Sequence, residues 1–156
     1  MTPEQTELAR RWIAALGDKA WAPGMLARDP DHGYRSVRVL GMADPMHTDG
    51  VMMPKKQGFV VDYQMRPGEP PPLPSGRAWV PDFDDDATKG AALGVLRRLY
   101  GRHVWIDYDH RKHRSEPPTF EVFADDGDFA CSFLGGGASE AEALVKAAEH
   151  WRKLNP

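Results

Sequence analysis

The chain has a single cysteine, Cys131, so it forms neither an internal disulfide nor a cysteine-based zinc cluster. That economy fits a reducing compartment, and the expected location is the cytoplasm. Long apolar runs are missing as well: no stretch approaches the roughly 20 residues that a membrane-spanning helix needs, so no membrane partner is expected. The first residues, including Thr2, Pro3, Glu4, Gln5 and Glu7, are polar and acidic, with no basic segment leading into an apolar one. A secretory signal is therefore not expected. Strong charge of either sign is absent too. A net charge of −3 over 156 residues argues against general nucleic-acid binding and against an acidic disordered chain. No Walker loop, Rossmann spacing, EF-hand, Ser-His-Asp or Cys-His signature is present. On that ground the sequence implies no catalytic residue, no metal and no cofactor.

What is present is ordinary globular material, 41% hydrophobic and 28% charged. The length predicts one domain spanning residues 1–156, large enough to bury a core without staples. Thr2, Pro3 and Gln5 form a capping box with proline at the first helical position. Leu8, Trp12, Ile13 and Leu16 then share one face, and Gly17 supplies the stop. Residues 21–27 read as extended, residues 29–33 as a turn, and residues 34–40 as a strand, which makes a hairpin. A long surface loop is expected over residues 41–58, and a strand over 59–65. Residues 66–76 hold five prolines and two glycines, so 66–77 read as a second long surface loop.

The second half is more regular. Asp86 is the expected cap of a helix over 87–100, with Ala92, Leu96 and Leu99 on one face. Gly90 and Gly94 weaken that helix by roughly 1 kcal/mol each, a cost that predicts close backbone approach there. Val104, Ile106 and Tyr108 alternate in one strand, Phe120, Val122 and Ala124 in another. Asp126-Gly127 begins a hairpin turn, and residues 129–134 form the last strand. Gly135, Gly136 and Gly137 then lead as a loop into a final helix, where Ser139 and Glu142 make a capping box and Ala141, Leu144, Val145, Ala148 and Trp151 face the core. The fold expected is α+β: one layered domain, mainly antiparallel sheet packed against about three helices.

Three segments carry a resemblance. Residues 19–26 include Trp21, Gly24 and Met25; residues 81–101 run from Pro81-Asp82 through Asp84-Asp85-Asp86 to Gly101; residues 139–148 begin Ser139-Glu140-Ala141-Glu142. Together they resemble the small phage and prophage proteins of the phage ABA-sandwich group, with Ala87, Lys89 and Ala91 standing where that group usually has proline, an apolar residue and cysteine. Residues 41–76 take no part in the likeness. The resemblance implies a layered α/β fold and a phage or prophage source, and it implies no activity.

Several features invite chemistry. Gly135, Gly136, Gly137 and Ser139 stand before a helix N-terminus, where free N–H groups and the helix dipole hold anions; the plainer reading is a flexible connection. Asp82, Asp84, Asp85 and Asp86 offer oxygen ligands for a divalent cation, or simply cap a helix. Period two places His103, Trp105, Asp107 and Asp109 on one strand face, a set suited to a small metal-assisted hydrolase or merely to a half-exposed strand. Arg111, Lys112, His113 and Arg114, with His110, make the most concentrated positive segment, fit for an anionic ligand or an acidic protein surface. Trp21, Met25, Met42, Met46, Met52 and Met53 suit an adaptable interface or a plugged core edge. Cys131 lies in the alternation Phe129, Cys131, Phe133, which predicts burial. The expectation is a non-catalytic phage-type binding protein that engages a host protein or sequesters an anionic, nucleotide-like ligand. Its expected site is Arg111, Lys112, His113, Arg114, Gly135, Gly136, Gly137 and Ser139. The alternatives are a nucleotide sponge using the triglycine and basic segments, and the hydrolase built on His103, Asp107 and Asp109.

Overall fold

Thr2 starts the first helix as its side chain dictates. Its hydroxyl accepts from the Gln5 amide at 3.2 Å while its own N–H donates to Gln5 Oε1 at 2.5 Å. Helix α1 spans Pro3–Leu16, and Gly17, at φ 56°, ends it and opens a short 3₁₀ turn over Gly17–Ala20. The computed structural model describes residues 1–30, 36–42, 51–52, 59–63, 79–109, 119–127 and 130–156. Among them, three α-helices and two antiparallel sheets make an α+β fold.

The first sheet has five short strands: β1 Leu26–Arg28, β2 Ser36–Met42, β3 Val51–Met52, β4 Phe59–Tyr63 and β5 Val80–Pro81, in the order β3-β4-β2-β1-β5. The expected hairpin is present, with Leu26 opposite Arg38 and Ala27 opposite Val37. The expected loop over 41–58 is corrected in part. β2 runs on to Met42, and Val51-Met52 pairs with Val61 and Val60 of β4, because the apolar residues there find a strand edge to complete. The remainder of that segment and the proline-rich 66–77 fall outside the described residues; the chain is described again from Trp79 and Val80, which are buried.

Helix α2 spans Asp86–Tyr100. Its cap is Asp85, not Asp86: Asp85 Oδ2 accepts from the Thr88 amide at 2.8 Å, while Asp86 is already helical and turns outward to Lys89 at 2.7 Å. Gly101, at φ 66°, supplies the left-handed stop. The second sheet then follows: β6 Val104–Asp109, β7 Thr119–Gly127 and β8 Ala130–Gly137, in that order. The Asp126-Gly127 hairpin signal holds, with Gly127 at φ 79° and paired with Ala130. The strands thus divide into two sheets where a single one was expected. β8 also extends through all three glycines, so Gly135, Gly136 and Gly137 are ladder residues opposite Val122, Glu121 and Phe120, not a loop.

Helix α3, Glu140–Leu154, closes the core. It packs on β7 and β8 and against both other helices. Small residues make that possible. A Cβ on Gly135 would lie 2.7 Å from the Ala147 amide nitrogen, so the helix backbone rests directly on the strand. Close approach therefore occurs at Gly135; nothing lies within 4 Å of a Cβ built at Gly90 or Gly94. Trp12, Met25, Leu96, Leu144, Val104 and Val122 are fully enclosed in one contiguous apolar cluster that joins both sheets to the helices. Directed bonds then set the angles: Trp12 Nε1 donates to the Ala20 carbonyl at 2.7 Å, Trp151 Nε1 to Leu99 at 3.2 Å, and Arg11 makes a two-point contact with Glu149 at 2.8 and 2.9 Å.

Candidate functional site

The second sheet has one face on the core and one face outward. Val104, Val122, Ala124 and Leu134 are buried, and Ile106 and Phe120 pack beside them. Strand alternation sends His103, which precedes β6, with Trp105, Asp107 and Asp109 of β6, Thr119, Glu121, Phe123 and Asp125 of β7, and Cys131 and Phe133 of β8 to the other side. On that outer face the aromatic rings form a row. His103 stacks on Trp105 at 5.7 Å between centroids, Trp105 on its cross-strand partner Phe123 at 5.8 Å, and Phe123 meets Phe133 edge-on at 5.8 Å. Such cross-strand aromatic pairs stiffen a sheet. They also leave rings in water: Phe133 is 56% exposed. The other exposed large apolar residues among those described, Met1 and Leu154, lie at or near the chain ends. Phe133 stands in the middle of a paired strand.

Gly136 fits the same arrangement, since a Cβ there would meet the Phe133 ring at 3.2 Å. A register shift between Val122 and Phe123 sets Phe133 outward while Leu134 and Gly135 face the helices. This overturns the expected burial of Cys131 and Phe133; Cys131 is exposed. The alternation was right, but the set of residues 130, 132 and 134 alternates equally well, and α3 needs the glycine side.

The expected hydrolase residues share a face without converging. His103 and Asp107 are four residues apart on an extended strand, roughly 13 Å, with Trp105 stacked on the imidazole between them. Asp107 Oδ1 accepts from the Tyr108 amide at 2.8 Å. Among the described residues, no group of three or more histidine, cysteine or carboxylate side chains is placed to hold a metal ion. The acidic run is consumed by structure. Asp82 is buried and pairs with Arg28, Asp84 accepts from Gln5 Nε2 at 2.6 Å, and Asp85 holds Thr88 and Arg38.

The anion-binding expectation at the triglycine segment meets a filled helix end. Ser139 Oγ accepts from the Glu142 amide at 3.2 Å, and Glu142 Oε2 accepts from the Ala138 amide at 2.9 Å, with Gly137 packed against the Glu142 side chain. Lys146 and the Ala138 N–H together hold the Glu142 carboxyl below the usual range, so a carboxylate of the chain itself occupies this place. Beside it, a groove of about 490 Å³ gathers the N-terminal ends of α1, α2 and α3, yet its charged lining is Glu4, Asp84, Glu140 and the cation Lys89, which already contacts Glu140 at 3.5 Å. Arg111, Lys112, His113 and Arg114 lie outside the described residues, as do Met46 and Met53; Trp21 and Met25 are buried in the core.

The outer face of the second sheet is thus where the described residues gather exposed aromatic rings. Sequence reasoning found Trp105 and its face but missed Phe123 and Phe133 as its continuation. The signal available was the run of aromatic residues at matching positions in three adjacent strands. These features define a small α+β protein with an exposed aromatic sheet face. No protein family, curated protein or solved structure matches the chain.

Proposed function

We propose that this chain is a non-catalytic binding protein that engages a partner protein through the outer face of β6, β7 and β8. The observation that carries the reading is the exposure of Phe133 at the end of the Trp105–Phe123–Phe133 row. Burying such a ring contributes roughly 1.5–3 kcal/mol, and rigid paired strands present it without an ordering cost in the backbone. Exposed aromatics on a regular element are the kind of anchor that protein interfaces use. The likeness of residues 19–26, 81–101 and 139–148 to phage ABA-sandwich proteins supports a phage or prophage source. With that source, the partner is a host protein and the place of action is the host cytoplasm.

The test uses the parent chain and Phe133→Lys as baits in native cells, followed by hydroxyl-radical footprinting of the reconstituted complex. The parent retains a partner that shields Trp105, Phe123 and Phe133, and Phe133→Lys loses it at unchanged melting temperature. A partner that binds both chains alike and leaves those rings reactive overturns the reading. Arg111, Lys112, His113 and Arg114, which join β6 to β7 in sequence, then become the place to look for an anionic ligand.

A further inference from the structure

The second sheet has two edges, and they are defended unequally. β6 carries Asp107 and Asp109, and its Val104 carbonyl accepts from Arg97 Nε at 2.8 Å. β8 reads Ala-Cys-Ser-Phe-Leu-Gly-Gly-Gly, without a charge or a proline. Charge, proline and side-chain cover are the usual means of closing a strand edge. Among the described residues, no group hydrogen-bonds to the backbone of β8 from the side away from β7. A depression of about 420 Å³ runs across Gly136 and Gly137 of β8, from Thr119 and Glu121 of β7 on the outer face, past Phe133, to Glu142 and Lys146 of α3.

The chemistry around this edge selects its occupant. Asp107 and Asp125 are exposed on the outer face, each two residues, about 7 Å, along its strand from Trp105 or Phe123. Each accepts one backbone N–H, from Tyr108 and Gly127 at 2.8 Å, and keeps further lone pairs. No lysine or arginine stands on this face among the described residues of the three strands. Aromatic rings bordered by carboxylates suit a guanidinium, which stacks on the ring and bonds the acid. On the opposite side of the edge, Lys146 and Glu142 already pair at 2.9 Å, so side chains turned that way gain nothing from charge.

We propose that β8 is the docking edge for an extended, arginine-bearing segment of the partner protein. The segment adds as a fourth strand, and its alternate arginines lie over Phe133 and reach past Cys131 to Asp125. Two strand spacings, roughly 10 Å, separate the added strand from β7, within reach of an arginine side chain. This rests on the outer face being the working surface and names what binds there.

The probe is a labelled ten-residue peptide of alternating arginine and threonine, titrated against the full chain at low salt by fluorescence anisotropy. Replacing its arginines by glutamate is expected to weaken binding at least about tenfold, as is Asp125→Asn or Phe133→Ser in the protein, both at unchanged melting temperature. N-methylation of one alternate set of peptide amides abolishes binding, and of the other set leaves it, because only one set faces β8. Equal binding of the arginine and glutamate peptides, equal effects of the two methylation patterns, or no binding at all overturns the proposal. So does a chain that sediments as a dimer and is split by Phe133→Ser, since a second copy then covers β8. If the peptide fails while the cellular partner still shields Trp105, Phe123 and Phe133, only this inference falls and the binding function stands.

Discussion

Arg38 and Asp85, 47 residues apart in sequence, meet in a two-point contact with Nη1–Oδ2 at 2.8 Å and Nη2–Oδ1 at 3.1 Å. The same Arg38 donates to the Gly24 carbonyl at 2.8 Å, and the same Asp85 accepts from both the amide and the hydroxyl of Thr88 at 2.8 Å. Thr88, fully buried, in turn accepts from the Leu26 amide at 2.8 Å. One carboxylate thus starts α2, fastens it to β1 and β2, and holds the two halves of the chain in register.

Asp85→Ala is expected to cost about 1–3 kcal/mol, because it removes the cap and leaves buried Thr88 and the Arg38 guanidinium short of an acceptor. Asp86→Ala changes stability by less than about 0.5 kcal/mol, since Asp86 is solvated and pairs only with Lys89. Urea unfolding of the two variants side by side separates them, and equal midpoints would refute the assignment of the cap.

The same site sets an acid dependence. Burial pushes the Asp85 carboxyl up, but hydrogen bonds from Arg38 and Thr88 outweigh it, and the group ends below the usual carboxylate range. A depressed value stabilises the fold at neutral pH, above the unfolded value of about 4, and that contribution is lost as pH falls through the folded value. Urea midpoints measured from about pH 7 to about pH 2.5 should fall in the parent and fall less steeply in Asp85→Asn. Parallel curves would count against it.

Tyr100 predicts the alkaline limb. Its hydroxyl donates to the Ala147 carbonyl at 2.9 Å, which leaves it to accept from His150 Nδ1 at 3.0 Å and places the imidazole proton on that nitrogen. Burial, only partly opposed by Arg102, pushes the phenol up to about 12. The stability this reflects is present below the unfolded value of about 10 and is lost as pH rises through the folded one. Tyr100→Phe should lower stability by about 1 kcal/mol at neutral pH and flatten the decline above pH 10, a comparison that denaturant titration reads directly.

Glycine substitutions separate the two kinds of glycine in this chain. Gly94→Ala meets nothing within 4 Å in a helix interior and should stabilise by about 0.4–1 kcal/mol. Gly135→Ala drives a methyl to within 2.7 Å of the α3 backbone and should destabilise by about 1–3 kcal/mol. Thermal unfolding decides both signs; a Gly135→Ala protein as stable as the parent would remove the close packing of α3 on β8.

Cys131 supplies a check on the outer face. Its thiol is exposed, so a chromogenic disulfide reagent should titrate it fully in the native protein without denaturant, and a thiol that reacts only on unfolding would return β8 to the buried orientation.

The local pattern of the sequence determined the element types. Thr2 with Gln5 and Ser139 with Glu142 start helices where their side chains satisfy the first free N–H groups, and the alternations through Val104 and Val122 make strands, because these signals act within a few residues. The tertiary structure decided which side of each element is inside. Residues 129, 131 and 133 and residues 130, 132 and 134 alternate equally well, and only the need to seat α3 on Gly135 turns Phe133 to solvent. Asp85 and Asp86 are equal candidates for a cap until Arg38, far away in sequence, arrives to select one. Glycines in α2 and in β8 look alike as letters, yet those of β8 are crowded by their neighbours, and Gly135 lies directly under the α3 backbone. Period and capping are short-range properties of the chain; burial is a property of what packs against it.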